Sequence, residues 1–211
     1  MNIGVILAGG IGSRFGSIIP KQYQIVNGQE VISYVINAFK KSDLTDEIIV
    51  VSDEQHIDYL QEKYGITAIK GGSARNETVF NAINFIKTRY GEDVKVIFAD
   101  SARPLLASSY IDEVFNLLDE YDSVITVAKI TDSLYDLENS LVDREKYRLI
   151  QTPEAFKIEA LEGFDPYDTS TAILSQCKSK NIYFCDKLKN NFKITYPQDL
   201  IIASALLTET K

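Results

Sequence analysis

Residues 7–21 read L-A-G-G-I-G-S-R-F-G-S-I-I-P-K, directly after an apolar run formed by Ile3, Val5, Ile6 and Leu7. The run stops at a loop holding Gly9, Gly10, Gly12 and Gly16, with cations at Arg14 and Lys21. Glycines let backbone N–H groups come close to an oxyanion, because no Cβ intervenes and positive φ is allowed. Two cations beside such a loop suit a polyanion such as a triphosphate. A P-loop is excluded, because Gly16 is followed by Ser17 and the lysine comes only at Lys21. A dinucleotide fingerprint is excluded too: Gly10 and Gly12 are followed by Phe15 where the third glycine belongs. A phosphate cradle of another kind remains, against the plainer reading of a strand-to-helix turn.

Outward from the loop, apolar runs alternate with amphipathic segments. Residues 3–7, 47–51, 94–98 and 123–128 are near-continuous β-branched runs, as strands buried on both faces of a parallel sheet require. Residues 31–40, 78–88 and 109–118 carry apolar stripes at helical spacing. The alternation predicts an α/β fold with a doubly wound, mostly parallel sheet and ligands at the carboxyl ends of its strands. The glycine loop stands at one such end and Asp100 at another, which predicts one shared site. Between residues 129 and 152 the alternation is lost. Short β-prone pieces at 133–135 and 140–142 predict a protruding β-arm, either surface decoration or a dimer contact. No linker or repeat divides the chain, so residues 1–211 are expected to form one domain.

The chain carries 22 Lys and Arg against 30 Asp and Glu, a net charge of −8. That balance argues against nucleic acid or an anionic membrane as partner, yet a few local cations with Mg²⁺ are enough for a nucleotide. Cys177 and Cys185 are too few for a disulfide scaffold and read as reduced thiols. The single histidine, His56, permits no Ser-His-Asp triad and reads as a helix surface residue within 54–64. No apolar run is long enough to span a bilayer, and no signal peptide is legible, so a cytoplasmic protein is expected.

Three further stretches carry chemistry. Ala99-Asp100-Ser101-Ala102-Arg103-Pro104 follows a strand: Asp100 either holds Mg²⁺ against phosphate oxygens or sits in a solvated turn and caps the next helix. Gly71-Gly72-Ser73-Ala74-Arg75-Asn76-Glu77-Thr78 opens a helix, and either meets a nucleobase edge or is capped by Ser73. Asn191-Phe192-Lys193-Ile194-Thr195 places a lysine at the tip of a short predicted strand, with Thr195 capping a helix that begins near Pro197.

In order along nearly the whole chain, these pieces resemble the cytidylyltransferases that make CDP-alcohols from CTP and a polyol phosphate. The matching pieces are L-A-G-G-I-G-S-R-F-G with P-K-Q-Y, G-G-S-A-R-N-E-T, D-S-A-R-P, Asp132-Ser133, Asp143-Arg144, Q-T-P-E-A-F and F-K-I-T-Y-P-Q-D-L. The resemblance implies a Rossmann-like nucleotidyltransferase with CTP and a polyol phosphate as partners, Mg²⁺ as cofactor and a homodimer in which the arm reaches the neighbouring site. Arg14, Lys21 and Lys193 would be catalytic, and Asp100 would hold the metal. Leu7, Ala8, Gly9, Gly10, Gly12, Gly72, Ser73, Thr78 and Ser101 would bind the nucleotide. Arg103, Ser133, Arg144, Thr152 and Lys193 would hold the polyol phosphate. The chain departs from the family in having Phe98-Ala99 rather than a histidine before Asp100. Its segment 156–168 is also shorter than in relatives, and Tyr167-Asp168-Thr169 matches their acidic motif only in part. Leu7-Ala8-Gly9-Gly10 and Arg75-Asn76-Glu77-Thr78 resemble the ribitol-phosphate branch, which implies a CDP-alditol for a surface polymer. The alternatives are the methylerythritol-phosphate enzyme and, from another class, a nucleotide-binding regulatory module without catalysis.

Overall fold

The computed structural model describes residues 1–10, 14–138 and 140–209. Strand β1 (Asn2–Leu7) runs into the glycine loop, and a small hairpin of β2 (Ile25–Val26) and β3 (Gln29–Glu30) leads to α1 (Val31–Lys40). Then follow β4 (Glu47–Ser52), α2 (Ile57–Tyr64), β5 (Thr67–Lys70), α3 (Arg75–Tyr90), β6 (Lys95–Asp100), α4 (Ser108–Leu117) and β7 (Ser123–Ala128). A second hairpin, β8 (Leu134–Asp136) with β9 (Ser140–Val142), precedes β10 (Leu149–Lys157), β11 (Ile182–Cys185) and α5 (Asp199–Glu209).

Among the described residues, seven strands make one sheet in the order β11-β7-β10-β6-β1-β4-β5. Its pairs are parallel except at β10, which runs antiparallel to both β6 and β7. The β-branched runs are continuous because alternate residues enter different cores. Ile6, Val50 and Ile97 join Val35, Ile36 and Phe39 of α1, Leu60 of α2 and Phe115 of α4 on one face. Ile3, Val5, Ile49, Val51, Val96 and Phe98 join Val79, Ile83 and Ile86 of α3 on the other. The expected three-layer α/β architecture is therefore present. On β1, Gly4 lets α1 approach: a Cβ there would intrude on the ring of Phe39.

The chain leaves β1 toward β4 and β5 on one side and returns to β6 on the other. Open α/β sheets form a ligand crevice at such a reversal, outside the carboxyl ends of the strands. In register, Leu7 sits beside Asp100 across β1 and β6 and beside Val51 across β1 and β4. Among the described residues, no helix is long and apolar enough to cross a membrane.

Several expectations need correction. The arm is shorter than 129–152, because Leu149 already pairs with Ala128 in β10, so Thr152 belongs to the central sheet. Pro153 hides that strand in the sequence; it sits where pairing with β7 shifts register between Ile150 and Glu154, the kind of irregularity that tolerates a residue without an N–H. Residues 191–195 form no strand; the Ile194 N–H donates to Ala102 O at 2.9 Å without continuing into a ladder. Thr195 does not cap α5, which starts at Asp199. The Asp199 carboxylate instead accepts from the N–H groups of Thr195 and Tyr196, both at 2.7 Å. A third apolar cluster joins Phe15, Val31, Ala102, Ile194 and Leu207, pinning the far end of the glycine loop against the Lys193 segment and α5.

Candidate active site

The loop after β1 is shaped by its own side chains. Gln22 is buried, and its Nε2 donates to the carbonyls of Ala8 at 2.7 Å and Gly10 at 3.3 Å. Lys21 opens a single 3-10 turn, and its ammonium donates to Ile194 O at 2.7 Å. That bond ties the glycine loop to the segment bearing Lys193. Burial lowers the Lys21 ammonium, and neighbouring Lys193 lowers it further, to about 8.

Asp100 ends β6 and is buried. Its Oδ2 lies 2.7 Å from Lys193 Nζ and 3.4 Å from Arg103 Nε. Burial alone would raise this carboxyl, but Lys193, Arg75 and Arg103 outweigh it and hold it at about 2. The cap expected as an alternative does not form, since α4 begins only at Ser108. Behind the carboxylate, Arg103 Nη1 donates to Asn191 O at 2.6 Å, and Asn191 Nδ2 donates to Thr152 O at 2.8 Å. The Asp100 N–H donates in turn to Thr152 Oγ1 at 3.3 Å. Arg103 and Thr152, expected to hold the polyol phosphate, thus stand beside Asp100 with these groups already engaged.

A cleft of about 190 Å³ opens at this point, lined by Leu7, Gly9, Gly10, Lys21, Gln22, Arg75, Thr78, Asp100, Ser101, Ala102 and Lys193. It brings together eight of the expected site residues: Leu7, Gly9, Gly10, Lys21, Thr78, Asp100, Ser101 and Lys193. Ala8, Gly72, Ser73, Arg103 and Thr152 do not line it. Arg14 is exposed and acts on Lys21 through its charge, while Gly12 lies outside the described residues. Ser133 and Arg144 are exposed on the arm and do not line the cleft. The Arg144 guanidinium donates to Thr131 O and lies 3.6 Å from the Glu145 carboxylate.

The second glycine loop is built differently from the cap expected for Ser73. Ala74 precedes α3, and Ser73 donates through both its N–H (2.6 Å) and its hydroxyl (2.7 Å) to Glu77 Oε2. Gly72 N–H donates to Thr78 Oγ1 at 3.1 Å, and a Cβ on Gly72 would collide with the Glu77 side chain. His56 is not a plain surface residue either. Its ring stacks on Tyr23 at 4.3 Å, behind the turn that carries Lys21. Sequence reasoning missed Gln22, Ala102 and Arg75 as cleft residues. A signal existed for Arg75, because Glu154 is a charge inside the apolar stretch Pro153-Glu154-Ala155-Phe156, and a buried charge needs a partner.

Lys193 and Arg103 thus pair with Asp100 at the switch point of the sheet, and Lys21 and Arg75 line the same cleft. The excess positive charge suits a polyanion, and the glycine loop can offer backbone amides to it. The IspD family profile, 2-C-methyl-D-erythritol 4-phosphate cytidylyltransferase, matches residues 3–209. A ribitol-5-phosphate cytidylyltransferase of Lacticaseibacillus paracasei is 29% identical, with 97% of each chain covered. A 2-C-methyl-D-erythritol 4-phosphate cytidylyltransferase of Lachnoclostridium phytofermentans is 33% identical over 97% of this chain and 95% of its own. The crystal structure of 4-diphosphocytidyl-2C-methyl-D-erythritol synthase from Anaerococcus prevotii shares the fold, with a TM-score of 0.81 over 98% of this chain and 96% of that one at 22% identity. With the profile matching residues 3–209 and a relative 33% identical over nearly the whole of both chains, the chain belongs to the IspD family, as a cytidylyltransferase.

Proposed function

We propose that this enzyme transfers CMP from CTP to the phosphate of an alditol phosphate of the ribitol 5-phosphate kind, in the cytoplasm, making a CDP-alditol for a surface polymer. The observation that carries the reading is the gathering of Lys21, Arg75 and Lys193 in one cleft with Asp100, which Lys193 and Arg103 pair. An acceptor phosphate oxygen forms a bond to the α-phosphorus of CTP, and the bond to the departing pyrophosphate breaks. Both reactants are anions, so catalysis consists of offsetting their repulsion and aligning them. A phosphate oxygen is nucleophilic near neutral pH, so a cleft without histidine is adequate.

Lys21 and Lys193 bind and orient the phosphates at the two sides of the cleft, with Arg14 adding charge at its mouth. Arg103 and Thr152 hold the acceptor side through their place beside Asp100. Magnesium fits the donor set in a limited way. Asp100 is one hard carboxylate that would hold the ion, and no cluster of three metal-binding side chains exists among the described residues, so the rest of its ligands would have to come from phosphate and water. The ion, when bound, offsets triphosphate charge. The arm supports a homodimer in which Ser133 and Arg144 enter the neighbouring cleft, because Tyr135, Leu137 and Leu141 are exposed on it.

The ribitol reading rests on the L-A-G-G and R-N-E-T loops and on the end-to-end match to the L. paracasei enzyme. The second reading, methylerythritol 4-phosphate as acceptor, is favoured by the family profile and by the 33% identity to the L. phytofermentans enzyme. Pyrophosphate release from CTP is to be measured against ribitol 5-phosphate, methylerythritol 4-phosphate and other polyol phosphates. Ribitol 5-phosphate is expected to give the highest kcat/KM. A preference for methylerythritol 4-phosphate selects the second reading, and better turnover of ATP or GTP than CTP overturns both.

A further inference from the structure

Arg75 lines the cleft in a state that none of the roles above explains. It is the first residue of α3, and its Nη2 lies 3.5 Å from Glu154 Oε1. Its Nη1 is buried and, among the described residues, has no hydrogen-bond partner. A guanidinium N–H withdrawn from water without an acceptor is costly, and native proteins rarely leave one so unless something else supplies the acceptor. The group lies on the cleft wall, and its charge is among those that hold Asp100 ionised.

Glu154 explains why the guanidinium stays in place. It lies on β10 with its side chain only 2% exposed. Oε2 accepts the Leu174 N–H at 2.9 Å, which leaves Oε1 for Arg75. Burial pushes this carboxyl up, while the Leu174 amide and Arg75 oppose that rise. A buried carboxylate anchored on one side by a backbone amide holds one edge of the guanidinium and leaves the other edge unmatched.

We propose that Arg75 is a substrate-contacting residue whose guanidinium donates to a phosphate oxygen of a bound reactant, and that Glu154 is the positioning residue that holds it there. The proposal rests on the cytidylyltransferase reading only in taking the reactants to be phosphorylated. The oxygen has two possible sources, the triphosphate of CTP and the phosphate of the acceptor, and the test separates them.

Calorimetry would titrate two ligands: CTP with Mg²⁺, and ribitol 5-phosphate into enzyme saturated with a non-hydrolysable CTP analogue. The proteins are wild type, Arg75→Lys, Glu154→Gln and the double variant. Lysine keeps a charge for Glu154 but lacks the second edge; glutamine keeps an acceptor for Leu174 N–H. Arg75→Lys is expected to weaken one of the two ligands about ten- to a hundred-fold, the scale of one charge-assisted hydrogen bond, with an unchanged melting temperature. The ligand affected identifies the phosphate. Glu154→Gln is expected to weaken the same ligand, and the double variant to lose no more than Arg75→Lys alone, as residues acting as one unit do. Should Arg75→Lys fold poorly, Arg75→Gln with Glu154→Gln replaces the ion pair by a neutral one and serves the same comparison. Wild-type affinity for both ligands in the Arg75 variants overturns the contact while the functional reading stands. An effect of Arg75→Lys without one of Glu154→Gln overturns the positioning role. A wild type that binds neither ligand overturns the contact and the functional reading together.

Discussion

At the scale of single residues, the cleft keeps a strong excess of positive charge, and Lys21 bears its cost. Its ammonium is lowered from 10.5 to about 8, so between those values the unfolded chain holds a proton that the folded cleft has released. In that window this group adds stability as pH rises; below it the lysine is charged in both states and the folded state carries the penalty. A bound polyanion reverses the shift. CTP binding at pH 8.5 is therefore expected to take up a fraction of a proton, seen as a dependence of the binding heat on the ionisation heat of the buffer. Lys21→Met should remove that dependence; an equal uptake in the variant would assign the proton elsewhere. Asp100 answers a different question. Asp100→Asn deprives Lys193 and Arg103 of their common partner and should lower kcat about a hundred-fold or more, the scale of losing one preorganised electrostatic contact. Circular dichroism is expected to show an intact fold, because Lys193 is part-exposed and can be hydrated. Near-normal Mg²⁺-dependent turnover would place the metal on another group.

At the scale of elements, close packing of α1 on β1 sets the position of the glycine loop. Gly4→Ala puts a methyl group into the ring of Phe39 and should destabilise the fold by about 1–3 kcal/mol, as overpacking of a dense core does. Phe39→Leu in the same chain should recover part of the loss, and chemical denaturation of wild type and the two variants measures it. A single variant as stable as wild type would show that α1 can withdraw freely. The elements also mark where sequence reading stopped. β1, β4, β6, β7 and α1 were legible because burial on both faces, or on one helical stripe, leaves a local pattern. β10 was not, since Gln151-Thr152-Pro153-Glu154 carries neither alternation nor a long apolar run. Its place between β6 and β7 follows from what those strands leave unpaired. The segment around Lys193 has a strand-like pattern but joins no sheet, because Asp199 and the packing of Ile194 turn it toward α5.

At the scale of the whole molecule, the exposed arm is the feature a single chain leaves unexplained. Tyr135 and Leu141 face each other across the β8–β9 hairpin, and both are exposed together with Leu137. Light scattering is expected to find a dimer, and Leu137→Asp with Leu141→Asp to yield monomers with little activity. A fully active monomer at assay concentration would contradict the shared site. In the dimer, Arg144→Ala should raise KM for the polyol phosphate about ten- to a hundred-fold with little change for CTP, and Arg144→Lys should recover part of it. An exposed arginine pairing loosely with Glu145 would leave both constants unchanged, since such pairs contribute at most about 1 kcal/mol and only to stability.

The amino-acid sequence by itself determined the α/β layers, the glycine loop after β1 and the place of Asp100 at a strand end. Each of these is written in a local pattern: the period of burial, the freedom of glycine, or a charge beside a strand end. Only the tertiary structure decided which charges meet. The antiparallel insertion of β10 carries Thr152 to the amide of Asp100 and Glu154 to Arg75. The packing of Ile194 beneath the glycine loop brings Lys193 within 2.7 Å of Asp100. Contacts between segments far apart in the chain are set by how the layers close on their cores, and no local pattern records that closure.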